Sequence, residues 1–225
     1  MGGGTGSATI ASMTVPSRAA AAALLLSLDP PVWALRHARA VAEIAAWLAR
    51  RTDERGMPVD VAAVDAAALL HDVDKLLPQG ATERALPHGE GSAAWLTRVG
   101  HPELARLVEG HPVVRLADAA TYGRWEAGAG PEERIVAYAD KRAGQRLEPL
   151  HTRFAGWRAR FPETWDDATW RDVQTRAAQL EAVVCGDAGV DPVAVGRLRW
   201  TAAALRTARR ADVTVDPALA TEMDR

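Results

Sequence analysis

The sequence predicts an all-α protein, a helical bundle, and three observations carry that prediction. Ala and Leu, rather than the strand-favouring Val, Ile, Tyr and Thr, dominate the apolar residues, which make up 48% of the 225 positions. From Pro16 onward the apolar residues recur at helical spacing. Clusters of Pro and Gly then divide that pattern into stretches suited to helices of about two to five turns.

Taken in order, residues 1–16 are rich in Gly, Ser and Thr and lack a buried-face period, which reads as a flexible arm. Its glycines are no dinucleotide loop, because no strand precedes them. A short helix is expected over 17–28. Asp29-Pro30-Pro31 reads as an N-cap with first-turn prolines, opening a helix whose inner face carries Trp33, His37, Val41, Ile44 and Leu48. A third helix, over 59–70, ends at His71-Asp72, and 78–87 reads as a loop. Further helices are expected over 88–99, 102–109, 131–142 and much of 147–160. Between them, 112–130 has weak periodicity and three glycines, which suits an irregular connection or a lid. The last helices are expected over 169–184 and 191–210. The division that follows is a single domain over 17–184 and a helical extension over 185–225 that packs on it or on a second subunit, making a homodimer.

Charge and cysteine usage narrow the function classes. With 27 basic and 29 acidic residues the net charge is -2, which gives no reason to expect a nucleic acid partner and favours small-molecule chemistry. Cys185 is the only cysteine, so neither an internal disulfide nor a thiolate-rich zinc site can form, and a cytoplasmic location fits. The longest N-terminal apolar run, 19–26, is too short to span a bilayer, so no membrane association is expected.

Five short motifs stand out in order: His37 within Leu-Arg-His-Ala-Arg, then His71-Asp72-Val-Asp74-Lys75, His88-Gly-Glu-Gly-Ser-Ala, Gly110-His111-Pro112 and Tyr138-Ala-Asp140-Lys141-Arg. From these, His37, His71, His88 and His111 offer four imidazoles and Asp72 and Asp140 two carboxylates, a nitrogen and oxygen donor set without thiolate. Such donors admit iron, manganese, cobalt, nickel or zinc, with iron or manganese favoured. Two divalent ions would outweigh two carboxylates and a hydroxide, leaving a positive pocket suited to a phosphate oxyanion.

This order of motifs resembles the HD-domain superfamily of metal-dependent phosphohydrolases. Within it, Leu69 to Lys75 and Leu86 to Ala93 are similar to small helical members that include diadenosine tetraphosphate hydrolases. The resemblance implies an HD-domain helical bundle around a metal site, with His37, His71, Asp72 and Asp140 holding one ion. It further implies that His88 and His111 hold a second ion, bridged to the first by Asp72. The implied reaction is hydrolysis of a phosphate ester or anhydride in a nucleotide-like small molecule, by in-line attack of metal-bound hydroxide.

Lys75 and Lys141 are the only lysines among the 27 basic residues, and both adjoin implied ligands. A compact ammonium suits contact with a phosphate oxygen, so both are candidate substrate-binding residues, and Lys75 also a candidate catalytic residue with Asp72. His101 competes with His88 as the third imidazole. Asp74 and Glu90 read equally as outer partners that orient histidines or as solvated acids in first helical turns. Two rival functions stand beside hydrolysis. One is a mixed-valent diiron oxygenase of the same superfamily, told apart by oxygen consumption. The other is a non-catalytic module whose metal only staples helices, told apart by an absence of turnover on phosphoesters.

Overall fold

The computed structural model describes residues 15–144 and 146–198, and these form helices joined by short turns. Among the described residues the one extended pairing is an isolated bridge between Ala143 and Leu147, so the all-α expectation holds. Most of the N-terminal arm, and residues 199–225 with the basic run at 206–210, lie outside the described residues.

Helix α1 (Arg18–Leu26) starts at Ser17, whose hydroxyl accepts the Ala20 N–H at 3.2 Å. Asp29 takes a positive φ of 48°, a conformation that Asp tolerates better than most residues. It is therefore a turn residue and not the expected N-cap, a position that Pro31 fills ahead of α2 (Val32–Glu54). Helix α3 (Val61–Leu70) is capped by the Asp60 carboxylate, which accepts the Ala63 N–H at 2.9 Å. Seven of its ten residues are buried, as suits a helix apolar on nearly every side. Its small alanines let α1, α2, α5 and α7 close around it, and the chain leaves this central helix at His71.

The remaining helices are α4 (Glu90–Arg98), α5 (Pro102–Glu109), α6 (Ala119–Gly128), α7 (Pro131–Arg142), α8 (Leu150–Arg160), α9 (Asp167–Ala188) and the short α10 (Pro192–Val195). Helices α5 and α7 have the bounds that their prolines and periodicity predict. Helix α6 occupies the stretch expected to be irregular. The Asp118 carboxylate caps it by accepting the Thr121 N–H at 2.7 Å, and Tyr122 is buried beside Leu116, Phe154, Trp170 and Val173. Capping and burial outweigh the helix-weakening effect of Gly123 and Gly128. Helix α9 runs unbroken past Val184, because Val184, Cys185 and Ala188 are all buried in the main core. The expected boundary between 184 and 185 therefore falls inside a helix. No helix among the described residues is long and apolar enough to cross a membrane.

Candidate metal centre

Six side chains from five places in the chain meet at the end of α3. His37 comes from the second turn of α2, His71 caps α3, and Asp72 follows it. His88 precedes α4, His111 follows α5, and Asp140 lies in the last turn of α7. The His37 and His71 Nε2 atoms are 3.1 Å apart, and Asp140 Oδ1 stands 3.3 Å from His37 Nε2 and 3.7 Å from His71 Nε2. Asp72 turns Oδ2 toward His37 Nε2 at 3.5 Å. Its Oδ1 lies 3.3 Å from both His88 Nε2 and His111 Nε2, which are themselves 3.1 Å apart.

The tautomers follow from what the other ring nitrogens meet. His71 Nδ1 lies 2.8 Å from the Ala68 carbonyl, His111 Nδ1 2.5 Å from that of Val108, and His37 Nδ1 3.0 Å from that of Gly144. A carbonyl can only accept, so each of these Nδ1 atoms donates. His88 Nδ1–H donates to Asp74 Oδ2 at 2.8 Å, where the His88 hydrogen bond and the Gly89 N–H outweigh burial and hold Asp74 below its ordinary value. With each Nδ1 committed as a donor, all four rings turn Nε2 inward, and in the neutral tautomer that atom carries a lone pair. Lone pairs only 3.1 Å apart repel unless positive charge sits among them.

Local structure explains the aim. His71 and His111 each follow a helix end, where the ring Nδ1–H bonds the carbonyl three residues back, one of the last carbonyls of the helix. The helix ends also carry partial negative charge toward the centre, which favours a cation. The bridge at Ala143 and Leu147 forms the turn that presents the Gly144 carbonyl to His37. His88 can approach because Gly89 has a φ of 89° and a Cβ there would meet the Glu109 carbonyl at 2.7 Å. The Ser92 hydroxyl, accepting the Asp74 N–H at 3.2 Å, ties α4 to the turn that carries Asp74.

The electrostatics call for positive charge. Burial would raise Asp72 and Asp140, but the surrounding histidines, helped at Asp72 by Lys75, hold both carboxyls well below their ordinary value. Burial would lower His71, yet the Asp72 and Asp140 carboxylates outweigh it and hold the ring above its ordinary value. Burial wins at His111, pushing it down to about 4, so that ring stays neutral and available as a ligand near pH 7.

The structure separates the other sequence candidates. Lys75 lines the pocket over the cluster, and its ammonium sits 2.8 and 2.9 Å from the two Asp72 oxygens. Lys141 does not line that pocket. Only 1% exposed, it donates to the carbonyls of His111 at 2.7 Å and Ala137 at 3.0 Å. His101 does not replace His88, because it lies near Glu103, 3.2 Å away, outside the cluster. Asp74 is the orienting partner of His88, whereas Glu90 is exposed. Trp33, expected on the inner face of α2, is 47% exposed at the pocket wall, one turn before His37 where α2 runs out of neighbours. Arg36, Arg153 and Arg160 also line this pocket. Nothing marked them in a sequence where Arg is the ordinary cation.

Three groups are positioned to hold a metal ion: His37, His71 and Asp140; His71, Asp72 and His111; and Asp72, Asp74 and His88. Ligand atoms about 2.0 to 2.2 Å from one ion stand roughly 3.0 to 3.5 Å apart, so the separations above fit the donor set. In the comparison with known proteins, the family model described as HD domain matches residues 34–144, a span that begins just before His37 and ends just after Asp140. No curated protein and no solved structure matches the chain.

Proposed function

The chain belongs to the HD-domain superfamily through residues 34–144, and from that premise we propose that it is a phosphohydrolase whose centre holds two divalent ions. The substrate is a small nucleotide-like molecule carrying a phosphate ester or anhydride. The observation that carries this reading is the convergence of four Nε2 lone pairs and two ionised carboxylates, with every Nδ1–H already committed to an acceptor. A structural histidine cluster would gain nothing from directing all its lone pairs at one another.

Bound divalent ions would bring water toward ionisation near neutral pH and neutralise charge on phosphoryl oxygens. The chain's own residues do the rest. His37, His71 and Asp140 would form one ligand group and His88 and His111 the other, with Asp72 within reach of both. Lys75 lines the pocket within hydrogen-bond distance of Asp72, which supports a role in meeting a phosphate oxygen there. Its ammonium would hold the substrate rather than the ions. Iron or manganese best suits these donors.

Metal analysis of the full chain purified without chelator, followed by phosphate release with manganese under argon, tests the proposal. About two ions per chain with chelator-sensitive release of phosphate are expected. A chain that retains no metal, or one that retains metal and turns over no phosphoester, overturns it. Oxygen consumption on iron-loaded protein in place of phosphate release would overturn it in favour of an oxygenase.

A further inference from the structure

The pocket above the histidine cluster has a volume of about 840 Å³, a size that encloses a whole small molecule rather than a single phosphate. Part of its wall is α8, which lies outside the family match at 34–144. Helix α8 brings Arg153 and Arg160 to the pocket, and α2 adds Arg36. The carboxylates lining the same pocket are already engaged. Asp72 and Asp140 belong to the metal centre, and Glu148 faces Arg146 at 3.6 Å. Arg36, Arg153 and Arg160 make no ion pair among the described residues.

Arg153 is the most informative of the three. Its guanidinium carbon stands 4.3 Å over the Trp157 ring, and its Nε is buried with no hydrogen-bond partner. Stacking fixes the plane of the fork while leaving donors unspent, an arrangement that is costly unless an anion completes it. A phosphate held at the histidines would be met by the ions and Lys75. It would not answer three further guanidinium groups.

We propose that α8 carries a second anion subsite, built by Arg153 and Arg160 together with Arg36, which holds a phosphate group of the substrate other than the one cleaved. The substrate class is then a molecule with at least two phosphates, such as a phosphoanhydride chain, rather than a monophosphate. The statement about which phosphate is cleaved rests on the phosphohydrolase reading. Binding at α8 does not.

Calorimetric titration of the full chain, stripped of metal, with inorganic tripolyphosphate reads the subsite apart from the metal centre. Arg153→Met is expected to weaken tripolyphosphate binding about tenfold or more, as loss of a charged hydrogen-bonding partner does. Arg153→Lys keeps the charge without the fork and should recover part of the loss. Arg160→Gln, at an exposed position, tests the subsite without risk to the core. With manganese restored, Arg153→Met should raise KM for tripolyphosphate by a larger factor than KM for p-nitrophenyl phosphate. Failure of the parent to bind tripolyphosphate, or equal affinity in the parent, Arg153→Met and Arg160→Gln, overturns the subsite whatever the metal content. Arg153-dependent tripolyphosphate binding in a chain that retains no metal sustains the subsite and overturns the phosphohydrolase reading instead.

Discussion

The deep and shallow halves of the histidine cluster are held by different means. In the deep half, His37 and His71 give their Nδ1–H to backbone carbonyls, and His71 is fully enclosed. The other half is shallow at His88, whose side chain is 32% exposed and is oriented by the Asp74 side chain, whereas His111 follows the same rule as His37 and His71 and is only 1% exposed. The Ala68 and Val108 carbonyls at helix ends, and the Gly144 carbonyl in the bridged turn after α7, are held by the backbone itself. A carboxylate on a short turn depends on one residue. The comparison teaches that the aim of His37, His71 and His111 is a property of the fold, and that the aim of His88 depends on a replaceable side chain.

The largest expected effect belongs to the residue that the halves share. Asp72→Ala should reduce metal content to background and phosphate release to that of chelated protein, because each half loses an oxygen at once. It also leaves Lys75 without its partner. Metal analysis and turnover measured on one preparation check this, and retention of one half with normal affinity would break the idea that Asp72 joins them.

Next come substitutions that separate the halves. His88→Ala should lower metal content from about two ions to about one, since His37, His71 and Asp140 remain a complete group. His71→Ala should cost metal in both halves, because His71 belongs to two of the three ligand groups. It also strips the Ala68 carbonyl of its donor, so thermal stability should fall by about 1 to 3 kcal/mol. If His88→Ala and His71→Ala have equal effects on metal content and melting, depth in the structure is irrelevant to the site.

Asp74→Asn is a smaller perturbation confined to the shallow side. An amide can still accept from His88 Nδ1–H, but it has no charge with which to increase the basicity of the ring. Loss of such an outer partner typically weakens metal affinity by about 10- to 100-fold. Competition with a chelator should show one weakened ion and one unchanged. A uniform weakening of both would mean that Asp74 acts through the long-range field and not through His88.

How much of this was legible in the sequence depended on whether order or depth carried the information. The ordered motifs at His37, His71-Asp72, His88, His111 and Asp140 are local words in the chain, and the fold brings all six together. The helix bounds of α5 and α7 were legible because Pro102 and Pro131 mark their first turns. Depth was not legible. Trp33 has the right period for an inner face, but α2 has no neighbour there to bury it. Tyr122 supports a helix through burial against α8 and α9 residues that lie far along the chain. Arg153 and Arg160 reach the pocket only because α8 packs beside it, and spacing within α8 cannot reveal that.

Lys141 is the instructive failure, because rarity and proximity to Asp140 marked it as a phosphate contact while the structure turns it inward behind His111. The expected effect of Lys141→Met on metal content and on KM is therefore small. Its donor to the His111 carbonyl is lost, but the ring is still aimed by the end of α5 and the Val108 carbonyl. Its signature should lie in the alkaline stability profile. Burial pushes the Lys141 ammonium down to about 8 from an ordinary 10.5. Between those values the unfolded chain binds more protons than the folded one, so this residue makes stability rise with pH from about 8 to 10.5, by up to about 3 kcal/mol. The contribution is fully present above the unfolded value and is lost as pH falls toward 8. In Lys141→Met that rise should vanish from urea melts of metal-free protein, relative to the parent, while the loaded variant keeps both ions. If the variant loses the shallow ion, the ammonium positions His111, and backbone carbonyls alone do not suffice to hold a buried ligand of this centre.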